Sequence, residues 1–181
     1  MKKPELPIRE MDKRHPGLTP SLAGCYEEAA RVSLSLNHSP PQEFSLSLDQ
    51  SQSVAEVRWT PPDERCNKAW ANRDDATRDG AYACALAATE LISGLYAVRR
   101  AETLTGADYY IAPNAPEPED LESCIRLEVS GTHLDDRHVL QRLKDKVEQA
   151  KGGKSSLPAI AAVVGFKTKC IKMRSVENEM G

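Results

Sequence analysis

Three acidic residues stand out by where they fall. Asp108 opens the apolar run of "GADYYIAP" (106–113), Glu128 lies inside "CIRLEVSGT" (124–132) between Leu127 and Val129, and Glu90 is the only acid between Gly80 and Arg100. A carboxylate set among strong β formers is costly to bury unless it is paired or holds a cation. Two carboxylates brought within a few ångströms repel each other, and a hard divalent cation such as Mg²⁺ or Mn²⁺ resolves that repulsion. Structural roles compete with this reading. Asp108 would serve as a turn acid after Gly106, Glu128 would pair with Arg126 or Arg99 across strands, and Glu90 would be a solvent-facing charge near a helix end.

These acids need elements to position them, and the pattern supplies an order. "AYACALAATELI" continues a helix that Asp74 or Asp79 would cap and Gly94 would end. Strands are expected at 95–102, 107–112 and 124–132, with the Pro- and acid-rich loop 113–123 before the last of them. "DDRHVLQRLKDKVEQAKGG" (135–153) reads as an amphipathic helix capped by Asp135 or Asp136, with Val139, Leu140, Leu143, Val147 and Ala150 on one stripe. "LPAIAAVVGFKTKCIKM" (157–173) reads as one long strand, apolar in its first half and basic in its second. The order from residue 74 is helix, strand, strand, strand, helix, strand. Upstream, the pattern predicts a mobile charged arm at 1–17, a helix at 18–36 and a hairpin at 43–60 ended by Pro61-Pro62. "DERCNKAWANRDD" (63–75) carries no clear pattern.

This order, with Glu90 on the first helix, "GAD" at Asp108 and "LEVSG" around Glu128, resembles the core of the PD-(D/E)xK nuclease superfamily. That superfamily includes restriction enzymes, Holliday-junction resolvases and repair or defence nucleases. The resemblance covers about residues 74–173. It implies an α/β fold with a restriction-endonuclease-like αβββαβ core at 74–181, in which helices flank a mixed sheet. Residues 1–73 would be an N-terminal arm, helix and hairpin added to it. It also implies Mg²⁺-dependent (or Mn²⁺-dependent) phosphodiester hydrolysis, with Asp108, Glu128 and the backbone carbonyl of Val129 as metal ligands and Glu90 as an accessory acid. The family's lysine belongs at position 130, where this chain has Ser130. Lys144 and Lys146, on opposite flanks of the following helix, are the substitutes from which a basic group would reach the site.

Composition agrees with a globular chain: 181 residues, 40% hydrophobic and 28% charged. No apolar run approaches the roughly 18–20 residues of a membrane span, and the first 17 residues lack the apolar centre of a signal peptide. The five cysteines are scattered and form no CxxC pair, which disfavours a zinc knuckle. They are expected as buried thiols in a reducing cytoplasm. Net charge is -3, yet nine Lys and Arg residues fall between Arg142 and Arg174, opposed only by Asp145 and Glu148. Lys151, Lys154, Lys167 and Lys169 are thereby candidates for binding a nucleic-acid backbone, DNA in the first instance. The expected setting is defence against foreign DNA or DNA repair, with a homodimer as one way to cut two strands. The alternative is a degenerate, non-catalytic nuclease fold that scaffolds a defence complex with other protein subunits. Ser130 favours it, and the acidic loop 117–122 would be a partner surface.

Overall fold

The computed structural model of the chain describes residues 2–113 and 120–177. Four α-helices, α1 (Pro20–Ser35), α2 (Glu64–Ala69), α3 (Arg73–Ser93) and α4 (Asp136–Gly152), surround seven strands. These are β1 (Gln42–Leu48), β2 (Ser51–Val57), β3 (Tyr96–Arg100), β4 (Tyr109–Ala112), β5 (Ile125–Thr132), β6 (Ala159–Gly165) and β7 (Cys170–Val176). They form one mixed sheet in the order β2-β1-β7-β6-β5-β4-β3. The α/β class is thus observed, and α3-β3-β4-β5-α4-β6 follows the expected order. β5 and β6 run parallel across the α4 crossover, while β4 runs antiparallel to both β5 and β3.

The two faces of the sheet are covered differently. α3 is buried almost all round, from Gly80 to Thr89, because it lies between the sheet and α1. A helix of small apolar residues on every side can occupy only such an interior layer. Its core includes Tyr26, Leu86, Tyr109, Leu127, Val129 and Ile160. α4 is amphipathic. It buries Val139, Leu143, Val147 and Ala150 against Ala159, Ala161 and Val163 on the opposite face and leaves its charges outside. Asp135 caps α4 by accepting from the His138 N–H, and Gly94 ends α3 in the left-handed conformation.

Three sequence expectations are corrected. The run 157–173 is a hairpin, because β6 closes at Gly165 and β7 returns antiparallel beside it from Cys170. An apolar run records burial on both faces and says nothing about a reversal within it. The N-terminal residues are packed rather than loose: Leu6, Ile8, Met11 and His15 are each 0–1% exposed. Burying each such aliphatic side chain contributes on the order of 2 kcal/mol relative to exposure. The helix and hairpin expected within residues 1–73 are present as α1 and β1-β2. β1 pairs in parallel with β7, Ser45 beside Cys170 through Leu48 beside Met173, so one sheet spans both segments. The N-cap of α3 is Asn72, whose side chain accepts from the N–H groups of Asp74 and Asp75. Much of the acidic loop 117–122 lies outside the described residues.

Candidate active site

β4 is short, and the site begins where it stops. Its register sets Tyr109 beside Leu127, Tyr110 beside Arg126 and Ile111 beside Ile125. Just before β4, the Asp108 N–H donates to the Leu127 carbonyl at 2.7 Å, which holds Asp108 against the Leu127–Val129 stretch of β5 that carries Glu128. Beyond this point β5 continues to Thr132 without a strand partner on its β4 side among the described residues. The Asp108 carboxylate takes over there, its Oδ2 accepting the Val129 N–H at 2.8 Å. The backbone of Arg126 points the opposite way, donating to the Pro158 carbonyl at 2.9 Å. Backbone groups alternate along a strand, and a residue's N–H and C=O share an edge. The Val129 carbonyl therefore faces the same gap as Asp108.

The turn before Asp108 is fixed from below. Gly106 adopts φ +68, which L side chains rarely tolerate. The Arg126 guanidinium is fully buried and donates to the carbonyls of Thr105 (2.8 Å), Ala150 (3.1 Å) and Leu157 (2.9 Å). One buried cation thus ties this turn to the C-terminal end of α4, where the helix dipole is negative.

Asp108 is also held from α3. The Tyr82 hydroxyl donates to its Oδ1 at 2.9 Å and accepts from Arg100 at 3.2 Å. The Arg100 guanidinium lies over the rings of Tyr82 and Tyr109, 4.8 and 4.9 Å from their centroids. Burial and the neighbouring Asp108 carboxylate push the Tyr82 phenol up to about 12, so it remains a hydrogen-bond donor at neutral pH. Tyr109 and Tyr110 are both buried, on opposite faces of β4.

Glu128 has a different environment. Only 2% of the residue is exposed, and its Oε1 accepts from the Lys146 ammonium at 2.6 Å. Lys146 is itself held by Gln149 Oε1 at 3.0 Å. Burial first, and then the Asp108 charge, raise the Glu128 pKa above the ordinary glutamate range, while Lys146 opposes the shift. One helical turn earlier on the same flank of α4, Arg142 donates to Ser130 Oγ at 3.2 Å. Glu128 is thus paired with neither Arg126 nor Arg99 among these contacts.

The cleft around these groups has a volume of about 940 Å³. β5 and the residues after it form its floor, the start of α3 one wall and α4 the other. It brings together Asp108, Glu128, Val129, Ser130 and Lys146 of the sequence candidates. Glu90 is not among them. It lies eight residues beyond Tyr82, about 12 Å along the helix, and its two oxygens accept from Arg14 Nε (2.6 Å) and pair with His15 Nε2 (2.9 Å). Lys144 faces away, lining a second groove of about 1020 Å³ with Lys151, Lys154 and Arg174. Lys167 and Lys169 lie in the turn between β6 and β7, where Lys169 contacts Gln42. His133 lines the cleft's outer end, stacked on Phe166 with ring centroids 5.0 Å apart.

The sequence pattern marks no role for Tyr82, Arg100, Arg73 or Arg78, offers Arg126 only as a partner of Glu128, and includes Arg142 only as the start of the basic run. Only Arg126 carried a local signal, an arginine on the same strand face as Glu128. A hard cation suits the donor set at the gap: two carboxylates and a carbonyl, all oxygen. Among the described residues, no cluster of three or more His, Cys, Asp or Glu side chains is placed to hold a metal. Mg²⁺ commonly uses one or two carboxylates and keeps several waters, so two acids suffice. No family model, curated protein or solved structure matches the chain.

Proposed function

We propose that this chain is a restriction-endonuclease-like nuclease that hydrolyses nucleic-acid phosphodiester bonds, DNA in the first instance, with Mg²⁺ or Mn²⁺. The observation that carries the reading is that Asp108, bound to the Val129 N–H, and Glu128 line one cleft, with Lys146 at 2.6 Å from Glu128. The α3-β3-β4-β5-α4-β6 order supports it. Asp108, Glu128 and the Val129 carbonyl would hold the ion. A bound Mg²⁺ supplies Lewis acidity toward a phosphoryl oxygen and lowers the pKa of a coordinated water.

The chain's own residues do the rest. Tyr82 and the Val129 N–H hold the Asp108 carboxylate in place. Lys146, steadied by Gln149, places an ammonium beside the acids and takes the role that a lysine at position 130 would have. It donates hydrogen bonds to a water or a phosphoryl oxygen and offsets charge that develops there. Defence or repair remains the setting that the family resemblance implies.

The second reading, a degenerate scaffold subunit, is favoured by one observation. Lys146 already neutralises Glu128, and both Asp108 oxygens already accept hydrogen bonds. One experiment separates the two. Single- and double-stranded DNA and RNA are incubated with the wild-type chain, Asp108→Ala and Glu128→Ala, in Mg²⁺, Mn²⁺ or EDTA. Metal-dependent cleavage lost in both variants supports the nuclease. Cleavage that persists in both removes this site, and no cleavage of any substrate favours the scaffold.

A further inference from the structure

Lys146 apart, the lysines of α4 and the loop after it do not face the acid pair. Lys144, Lys151 and Lys154 lie across α4 from Glu128, in a groove that also contains Glu148 and Glu177. A strand lying over Asp108 and Glu128 would have to cross α4 to touch them. The cleft that holds the acids has cations of its own. Arg142 and Lys146 rise from α4, and Arg73 and Arg78 come from the opposite wall at the start of α3.

Arg142 is the most telling of these. It lies four residues before Lys146, the spacing that puts two side chains on one helix flank about 5–6 Å apart at Cβ. Lys146 goes to the acid Glu128, while Arg142 goes to the neutral hydroxyl of Ser130. Among the described residues, neither Arg142 nor Arg73 forms an ion pair with a carboxylate. A guanidinium has five N–H donors in a planar fork, and one contact to Ser130 leaves most of Arg142's fork for a ligand. The walls are close because residue 131 is glycine. A Cβ there would lie 2.9 Å from Ala81 Cβ, so Gly131 lets α3 approach β5 and brings Arg78 to the cleft.

We propose that Arg142, seated on Ser130, forms with Arg73 and Arg78 a phosphate-binding wall, and that a polynucleotide backbone runs along the uncovered edge of β5 past the acid pair. This rests on the nuclease reading for its ligand class and names the surface that binds it. Ser130 then has a role at the position where the resembling family has lysine: it orients an arginine that binds a neighbouring phosphate. Arginine suits that task because its fork grips phosphate oxygens bidentately.

The test is binding without turnover. A labelled 12-nucleotide single strand and a duplex of the same length are titrated with the full chain in EDTA, and anisotropy is followed over a salt series. Arg142→Gln should weaken binding about 10-fold and lower the salt slope by about one phosphate. Arg73→Gln/Arg78→Gln should also weaken it, and Lys151→Gln/Lys154→Gln should weaken it less than either. Ser130→Ala should lose about threefold, with Ser130→Thr restoring it. All are surface or small changes, and circular dichroism with thermal melts checks that each variant folds. Wild-type affinity in Arg142→Gln, or a larger loss in the lysine variant, overturns the proposal. So does binding of a nucleoside monophosphate through Arg142 without binding of either oligonucleotide. Arg142-dependent binding with no Mg²⁺-dependent cleavage leaves this proposal standing and removes the hydrolytic one. Cleavage that is unchanged in Arg142→Gln does the reverse.

Discussion

Glu90 and Glu128 are both glutamates with little solvent contact, and both are paired with a cation, yet their surroundings differ. Glu90 is closed. One oxygen takes Arg14 and the other His15, both from the segment before α1, and His15 Nδ1 accepts the Ala97 N–H at 2.9 Å. The cluster joins the N-terminal residues, α3 and β3, and each polar group in it is answered. Glu128 is open. It has one cation on one oxygen, the Asp108 charge nearby, and a cleft in front. A buried charge with a full set of partners fastens segments together. One with an incomplete set, beside a second acid, is arranged to receive something else.

That contrast can be broken most forcefully by exchanging the losses. Glu128→Ala or Asp108→Ala should reduce cleavage by at least about 10³-fold, equivalent to about 4 kcal/mol of lost transition-state stabilisation. Glu90→Ala should leave cleavage within about threefold. It should instead lower the melting temperature by about 8 °C, from about 3 kcal/mol for an uncompensated pair. Kinetics and melts on the same three variants check both halves.

Lys146 sharpens the comparison at the next level. Lys146→Met should lower kcat about 10²-fold, the usual worth of a positioned donor. It should also move the acid limb of the pH–rate profile upward. Lys146 holds the Glu128 pKa down against burial and Asp108, so removing it lets that pKa rise. An unmoved acid limb would separate Lys146 from Glu128.

Stability against pH gives smaller effects of opposite sign in the two regions. The folded pKa of Glu128 is raised, so between the ordinary glutamate value and that raised value the native state holds the proton more often than the unfolded one. Its ionisation therefore costs stability as pH rises through the window. Glu128→Gln should be more stable relative to wild type at pH 8 than at pH 4, by a few degrees in melting temperature. His15 has its pKa lowered, chiefly by burial, with Glu90 opposing. Its contribution is complete above about pH 6.5 and is lost as pH falls from there through the folded value. His15→Gln should melt lower than wild type at pH 8, and the gap should narrow toward pH 5.

The residues that were legible from sequence are those whose signal is local. α4 has its stripe and its cap at Asp135, and β5 has its β formers around a single acid. What was not legible depends on residues far apart in the chain. Glu90 looked functional because it was the only acid on its stretch, and its partners lie 76 and 75 residues away. Lys144 and Lys146 sat symmetrically about an apolar stripe, and only the packed helix shows which flank meets Glu128. The arm's Leu6, Ile8 and Met11 follow no period among their charges and prolines. The β6–β7 reversal falls in "GFKTKC", whose residues give only Gly165 as a turn signal. Tyr82 and Arg100 are joined to Asp108 only once α3 lies across β4.

The most direct test of the central claim is a single-turnover cleavage assay in Mn²⁺ on an oligonucleotide that the wild type binds, run side by side with Glu128→Gln and Glu90→Gln. The account predicts metal-dependent cleavage by wild type and Glu90→Gln and a near-complete loss in Glu128→Gln. Equal cleavage by Glu128→Gln and wild type, or loss in Glu90→Gln with Glu128→Gln intact, would contradict it.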